Sequence, residues 1–268
     1  KKVINAIDKV IKIEGHILIF LPGMYEINLC HQLISQKYFD EIIILHGDLG
    51  TVEITDDFYD LKNKKIILST NIAESSVTIP GVRIVIDSGL HRTANLNRLT
   101  GLQSIELKKI SQSSAIQRAN RASREAKGYA LRLYSELDYL QRAEFDQPEI
   151  LRMEISDLII KSLDFFNLPL TQLKFLNELN PKDIEFSQNF LEKIGFIKND
   201  QLTINGNKLK SYPFHPRVSR MLYEASQCNE MTFHHFIKDL ANLIEPKRPS
   251  HFIHLVKKHF KSNANGKD

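Results

Sequence analysis

Four short apolar runs constrain this chain more than anything else in it. They are "HILIF" from His16, "EIIIL" from Glu41, "KKIILS" from Lys64 and "RIVID" from Arg83. Each is stopped by small or polar residues: Leu21-Pro22-Gly23, His46-Gly47-Asp48, Ser69-Thr70-Asn71 and Ser88-Gly89. A run this apolar reads as a strand buried on both faces. A helical pattern lies between the first two, "MYEINLCHQLISQKY", with Ile27, Cys30, Leu33 and Ile34 on one stripe. Strands alternating with helices predict an α/β fold, a parallel sheet covered by helices on both faces. In such sheets ligands gather at the loops after the carboxyl ends of the strands, where the polar clusters fall.

The chain has 268 residues, enough for more than one domain, and 42% of them are hydrophobic. Its net charge of +4 permits an anionic partner without requiring one. The two cysteines, Cys30 and Cys228, have no metal-ligand spacing and read as free thiols of a reducing compartment. No apolar run approaches membrane-spanning length, and no signal-peptide pattern opens the chain. A cytoplasmic monomer is expected. The chain starts inside a helical pattern without Met, as a piece of a longer polypeptide would, and ends in the polar "KSNANGKD".

The texture changes near Gln147-Pro148, where helical patterns take over. "EISDLIIKSLDFF" sets Ile155, Ile159, Leu163 and Phe166 on one stripe. "DIEFSQNFLEKIGFI" is a second amphipathic helix that Gly195 is placed to end. "GFIKNDQLTINGNKL" reads as a small hairpin with Asn-Asp and Asn-Gly turns. The expected domains are therefore 1–147, a winged-helix module over 148–212, and a helical segment over 213–268.

The densest charge is in "SQSSAIQRANRASR", a helix that Ser111 or Ser113 can cap. On a regular helix Gln117, Arg121 and Arg124 fall within an arc of roughly 60°, and Arg118 points elsewhere. Two guanidinium forks on one face suit an anion with several oxygens, such as a triphosphate. A solvated basic face is the usual reading of an arginine run, but here small residues intervene, not acidic partners. The helix also leads directly into the strand-like "YALRLY".

"QRANRASR" resembles motif VI of superfamily-two helicases, whose DEAH-box form is QRxGRxGR. "STNIAESSVTIPGVRIVIDSGL" is similar to motif V of that family, "ILIFLPGMYEI" to motif IV, and "LTINGNKLKSYPFHPRVSRML" to the region after it in HrpB-type helicases. The resemblance implies the second RecA-like domain of an ATP-dependent RNA helicase. The Gly-Lys-Thr phosphate loop and the Asp-Glu-x-His carboxylates that hold Mg²⁺ in the family's first RecA-like domain are not in this sequence. ATP would sit between the two domains, with Mg²⁺ held mainly by the first. Arg121 and Arg124 match the arginine fingers, and Gln117 matches the motif's glutamine. Thr70 and Asn71 match residues that hold the nucleic-acid backbone of single-stranded RNA, with DNA left open. Thr78 matches a nucleotide-side position, and Ser76 would lie between the two groups. A helix cap competes as the role of Thr70. The stretch His91–Ile110 matches a strand-separating β-hairpin with "NRLTG" at its tip.

The sequence departs from the family at three positions. Asn120 and Ser123 stand where motif VI has glycines, and Pro80 stands near the ribose site where an acidic residue is common. These leave an alternative: a degenerate helicase acting as a non-catalytic scaffold for nucleic acid or protein. A sequence-specific DNA binder is disfavoured, because the recognition-helix candidate "SQNFLEKIGF" carries only Lys193 against Glu192. His46 and His215 take structural readings, and no metal site is expected.

Overall fold

The structure, a computed structural model, describes residues 1–38, 41–47, 62–75, 77–97, 102–244 and 249–264. Its contacts divide into two compact units, Lys1–Arg152 and Met153–Asp268. The division falls past Gln147-Pro148 because Arg152 is tied to the first unit, donating to Thr93 Oγ1 and to the Ala94 carbonyl.

In the first unit the order is α1 (Lys2–Val10), β1 (His16–Phe20), α2 (Met24–Ser35), β2 (Glu41–Leu45), β3 (Lys65–Ser69), α3 (Ile72–Ser75) and β4 (Val82–Asp87). Then come β5 (Leu90–Asn97), β6 (Leu102–Lys109), α4 (Gln112–Asn120), β7 (Tyr129–Arg132) and α5 (Glu136–Leu140). Five strands form one sheet in the order β2-β3-β1-β4-β7, every pairing parallel. Alternation along β1 sends Ile17 and Ile19 to one face, with Ile7, Val10, Ile27 and Ile34 of α1 and α2. Leu18 and Phe20 go to the other face, against Ala73 and Ala122. The central strands β1, β3 and β4 are thus buried on both sides, as their continuous apolar runs require, whereas β2 at the edge, also expected to be buried, is largely half-buried. On α2, Ile27 and Ile34 are buried and Cys30 is half-buried, but Leu33 is exposed. β5 and β6 pair antiparallel as a separate hairpin rooted at the end of β4. Its expected tip lies largely outside the described residues, as does Ser76.

The second unit contains α6 (Ser156–Lys161), α7 (Pro181–Lys193), β8 (Ile197–Lys198), β9 (Gln201–Leu202) and α8 (Ile204–Leu209), followed by α9 (Pro216–Ser226), α10 (Glu230–Ile244) and α11 (Pro249–Ala264). Gly195 takes φ +73° directly after α7, the left-handed conformation that ends a helix. Asn199 and Asp200 both have positive φ and make the two-residue turn between β8 and β9. Asn205-Gly206 makes no second turn. Thr203 Oγ1 accepts from the Gly206 N–H and caps α8, so these residues enter a helix. The stripe from Ile155 holds through Ile159 and Leu163 and fails at Phe166, which is 61% exposed. Residues Ser162–Phe166 widen into a π-helical turn ended by left-handed Asn167, which shifts the helical phase.

A buried carboxylate ties this unit together. Glu154 accepts from Ser156 N–H at 3.0 Å, from Ser187 Oγ at 3.1 Å and from the Ser156 hydroxyl. His215 Nε2 lies 2.8 Å from Glu154 Oε2, and His215 Nδ1 accepts from the Arg217 N–H, capping α9. Burial pushes the Glu154 carboxyl up, but the bonds from His215 and Ser156 outweigh it and hold it below its ordinary 4.5. Its folded value is depressed, so its contribution is present above about pH 4.5 and is lost as pH falls through the lowered value. Glu154→Gln is expected to cost about 1–3 kcal/mol at pH 7 and to remove part of the acid sensitivity. Thermal melts between pH 3 and 7 check both; a variant that melts with the parent throughout would refute the assignment.

Among the described residues no helix is long and apolar enough to cross a membrane.

Candidate functional site

The site is built where three segments meet: α3 and the loop after it, the end of β4, and the arginine helix α4. Ser111 caps α4, accepting from the Ser114 N–H at 3.1 Å, and is itself held by Asp146. After Asn120 the helix tightens into a 3₁₀ turn, Arg121–Ser123. Such a turn has about three residues per turn, so side chains beyond it leave the α-helical phase. Of the three residues expected on one face, Arg121 and Arg124 both reach the loop after α3. Gln117 and Arg124 are exposed, whereas Arg121 is buried.

Arg121 lies under the loop after α3. Its Nε donates to the Glu74 carbonyl at 2.9 Å and its Nη1 to the Val77 carbonyl at 2.7 Å; Nη2 also reaches the Glu74 carbonyl. Burial, then the charge of Arg124, pulls the Arg121 guanidinium down from its ordinary value, and an arginine stays charged under such a shift. Arg124 Nη1 donates to Thr78 Oγ1 at 2.6 Å. The structure therefore brings Arg121, Arg124 and Thr78 together on one loop.

Thr70 is buried at the end of β3, its N–H donating to the Leu45 carbonyl. Asn71 is exposed, and its carbonyl accepts from the Glu74 N–H at the start of α3. Pro80 is buried ahead of Gly81, whose N–H donates to Glu125 at 3.0 Å. Asn120 and Ser123 are both exposed.

Arg118, which points away from the face of Gln117, is fully buried and was not among the expected site residues. Its Nε donates to Glu74 Oε2 and its Nη1 to Asp87 Oδ1, both at 2.9 Å. Phe20 lies beneath it, with the guanidinium carbon 4.8 Å from the ring centroid. Ser114 Oγ donates to the other Glu74 oxygen at 2.7 Å. Asp87 also accepts from the Gly89 N–H and from the Tyr134 hydroxyl. Burial, then the Asp87 charge, raises the Tyr134 phenol above its ordinary value, so it stays a neutral donor. The signal in the sequence was the pair of carboxylates at Glu74 and Asp87, each beside an apolar strand and in need of a cation. Among the described residues no group of His, Cys, Asp or Glu is placed to hold a metal ion.

The five-stranded parallel sheet with its flanking helices matches the C-terminal RecA-like fold of the helicase HrpB. Residues 2–126 match the family described as helicase conserved C-terminal domain. The chain belongs to the DEAH-box helicase family. It is 34% identical over 221 residues to the ATP-dependent RNA helicase HrpA of Escherichia coli K12, covering 80% of this chain and 17% of that protein. It is 29% identical over 238 residues to HrpB of the same organism, covering 87% and 29%. The crystal structure of the Escherichia coli DEAH/RHA helicase HrpB superposes with a TM-score of 0.79 at 27% identity, covering 92% of this chain and 32% of that one. The chain thus spans about a third or less of the length of these relatives.

Proposed function

We propose that this chain supplies the second RecA-like domain, and the segments after it, of an ATP-driven RNA helicase that moves along single-stranded RNA and opens duplexes. The observation that carries the reading is the grip of Arg121 and Arg124 on Val77 and Thr78. It ties motif VI to motif V and leaves the Arg124 side chain exposed. A triphosphate suits such a site: among the described residues, no carboxylate is bonded to the exposed donors Arg124 and Gln117. When bound, ATP would supply the transferred phosphoryl group, and Mg²⁺ would be held mainly by a first RecA-like domain of the same polypeptide. Arg124 would place positive charge beside that phosphoryl, while Arg121 holds the loop that carries Thr78. Thr70 and Asn71, at the carboxyl end of β3, would face the RNA backbone. Residues 148–212 would serve as a winged-helix brace and 213–268 as the start of a helical segment. The protein would act in the cytoplasm as a monomer.

The phosphate loop and the DEAH carboxylates are not in this chain, so the pure 268-residue protein is expected to hydrolyse no ATP. Joined to a first RecA-like domain, it should hydrolyse ATP in a manner stimulated by RNA. Robust hydrolysis by the chain alone would overturn the reading. A joined polypeptide that binds RNA but turns over no ATP would favour the scaffold alternative, which the exposed Asn120 and Ser123 keep in view.

A further inference from the structure

Arg118 belongs to the arginine motif by sequence and to the core by structure. Its guanidinium is enclosed by Glu74, Asp87 and Phe20. Its Nη1 also reaches the Leu90 carbonyl at 3.3 Å, the first residue of β5. The network continues through Asp87 to Tyr134, whose ring lies 3.8 Å from the Arg142 guanidinium. Arg142 Nη1 donates to the Gly89 carbonyl at 2.7 Å and to the Ile110 carbonyl at 3.1 Å. Gly89 immediately precedes β5 and Ile110 immediately follows β6. One continuous polar chain therefore runs from α3 to both feet of the hairpin.

Glu74 is the junction. Its backbone carbonyl is held by Arg121 and its carboxylate by Arg118. Any shift of the loop after α3 that moves Arg121 also moves the carboxylate that Arg118 must follow. A planar guanidinium has fixed donor directions, so Arg118 cannot follow Glu74 while keeping Asp87 and Leu90 unchanged. In a close-packed interior such a displacement passes to the neighbours, because no void absorbs it.

We propose that Arg118 is a positioning residue that couples the loop after α3 to the orientation of the β5–β6 hairpin. It touches neither nucleotide nor RNA, and the coupling acts through Glu74 and Asp87. The proposal rests on the helicase reading above.

The test uses the polypeptide that joins this chain to a first RecA-like domain. ATP hydrolysis is measured without RNA, and duplex separated per ATP consumed is measured with it. Arg118→Lys keeps the charge but loses the fork. It should leave RNA-free hydrolysis and the KM for ATP within about twofold while lowering duplex separated per ATP about tenfold. Tyr134→Phe leaves Arg118 in place and removes one contact of Asp87; it should lower the same ratio about twofold to threefold. An unchanged ratio in both variants, in an active parent, overturns the proposal alone. So does a parallel loss of hydrolysis and separation, which would make Arg118 part of the nucleotide site. If Arg118→Lys does not fold, the Tyr134→Phe ratio decides. A parent without RNA-stimulated hydrolysis brings down the helicase reading and this proposal together.

Discussion

Replacing Arg118 with Met is expected to destabilise the first unit by about 3–5 kcal/mol, the cost of breaking a buried ion network by removing one partner. Methionine has similar length and is apolar, so little packing is lost. What remains is the problem: Asp87 is 2% exposed and is left buried without the cation beside it, and Glu74 loses the same partner. Adding Glu74→Gln and Asp87→Asn removes both stranded charges and should recover part of the loss, since neutral or apolar replacement of a whole buried network is often close to neutral. Hydrogen exchange at the β4 and β7 amides in urea reports this unit separately from the second. A change below about 1 kcal/mol in the single variant would mean that water or rearrangement already relieves the site, contrary to a closed core.

Arg124→Lys should lower ATP turnover of the joined polypeptide by roughly a thousandfold, the lower end of what an arginine finger contributes. The substitution keeps the charge and loses the planar fork that matches phosphate oxygens. Because Arg124 is exposed, stability should hardly change. Arg121→Lys should behave differently. The Arg121 donors are committed to the Glu74 and Val77 carbonyls, so losing them releases the loop and lowers both stability and turnover. Steady-state hydrolysis together with thermal melts separates the two patterns. A loss below about tenfold in Arg124→Lys would remove it from the phosphoryl site.

The sheet was legible in the sequence because strands buried on both faces must be continuously apolar, as Ile66 to Leu68 and Ile84 to Ile86 are. The Ser111 cap and the Gly195 stop were legible because each rests on local chemistry alone. Phase was not legible. The 3₁₀ turn at Arg121 and the π turn at Ser162 both change the angle per residue, and no residue type announces either. The π turn is why Phe166 faces outward. The helix at Asn205-Gly206 was hidden by a dipeptide that favours turns, outweighed here by the Thr203 cap. Arg118 was hidden because its partners, Glu74 and Asp87, are distant in sequence and meet only once α4 packs against both α3 and β4.

On the proposed function, this chain lends a cation to a phosphoryl group cradled mainly by another domain. The most direct measurement is a structure of the joined polypeptide holding ADP and a planar phosphoryl mimic. The Arg124 guanidinium is expected within hydrogen-bond distance of the mimic, with Arg118 still bridging Glu74 and Asp87. A closed complex in which Arg124 remains on Thr78, and no arginine of this chain reaches the mimic, would contradict it.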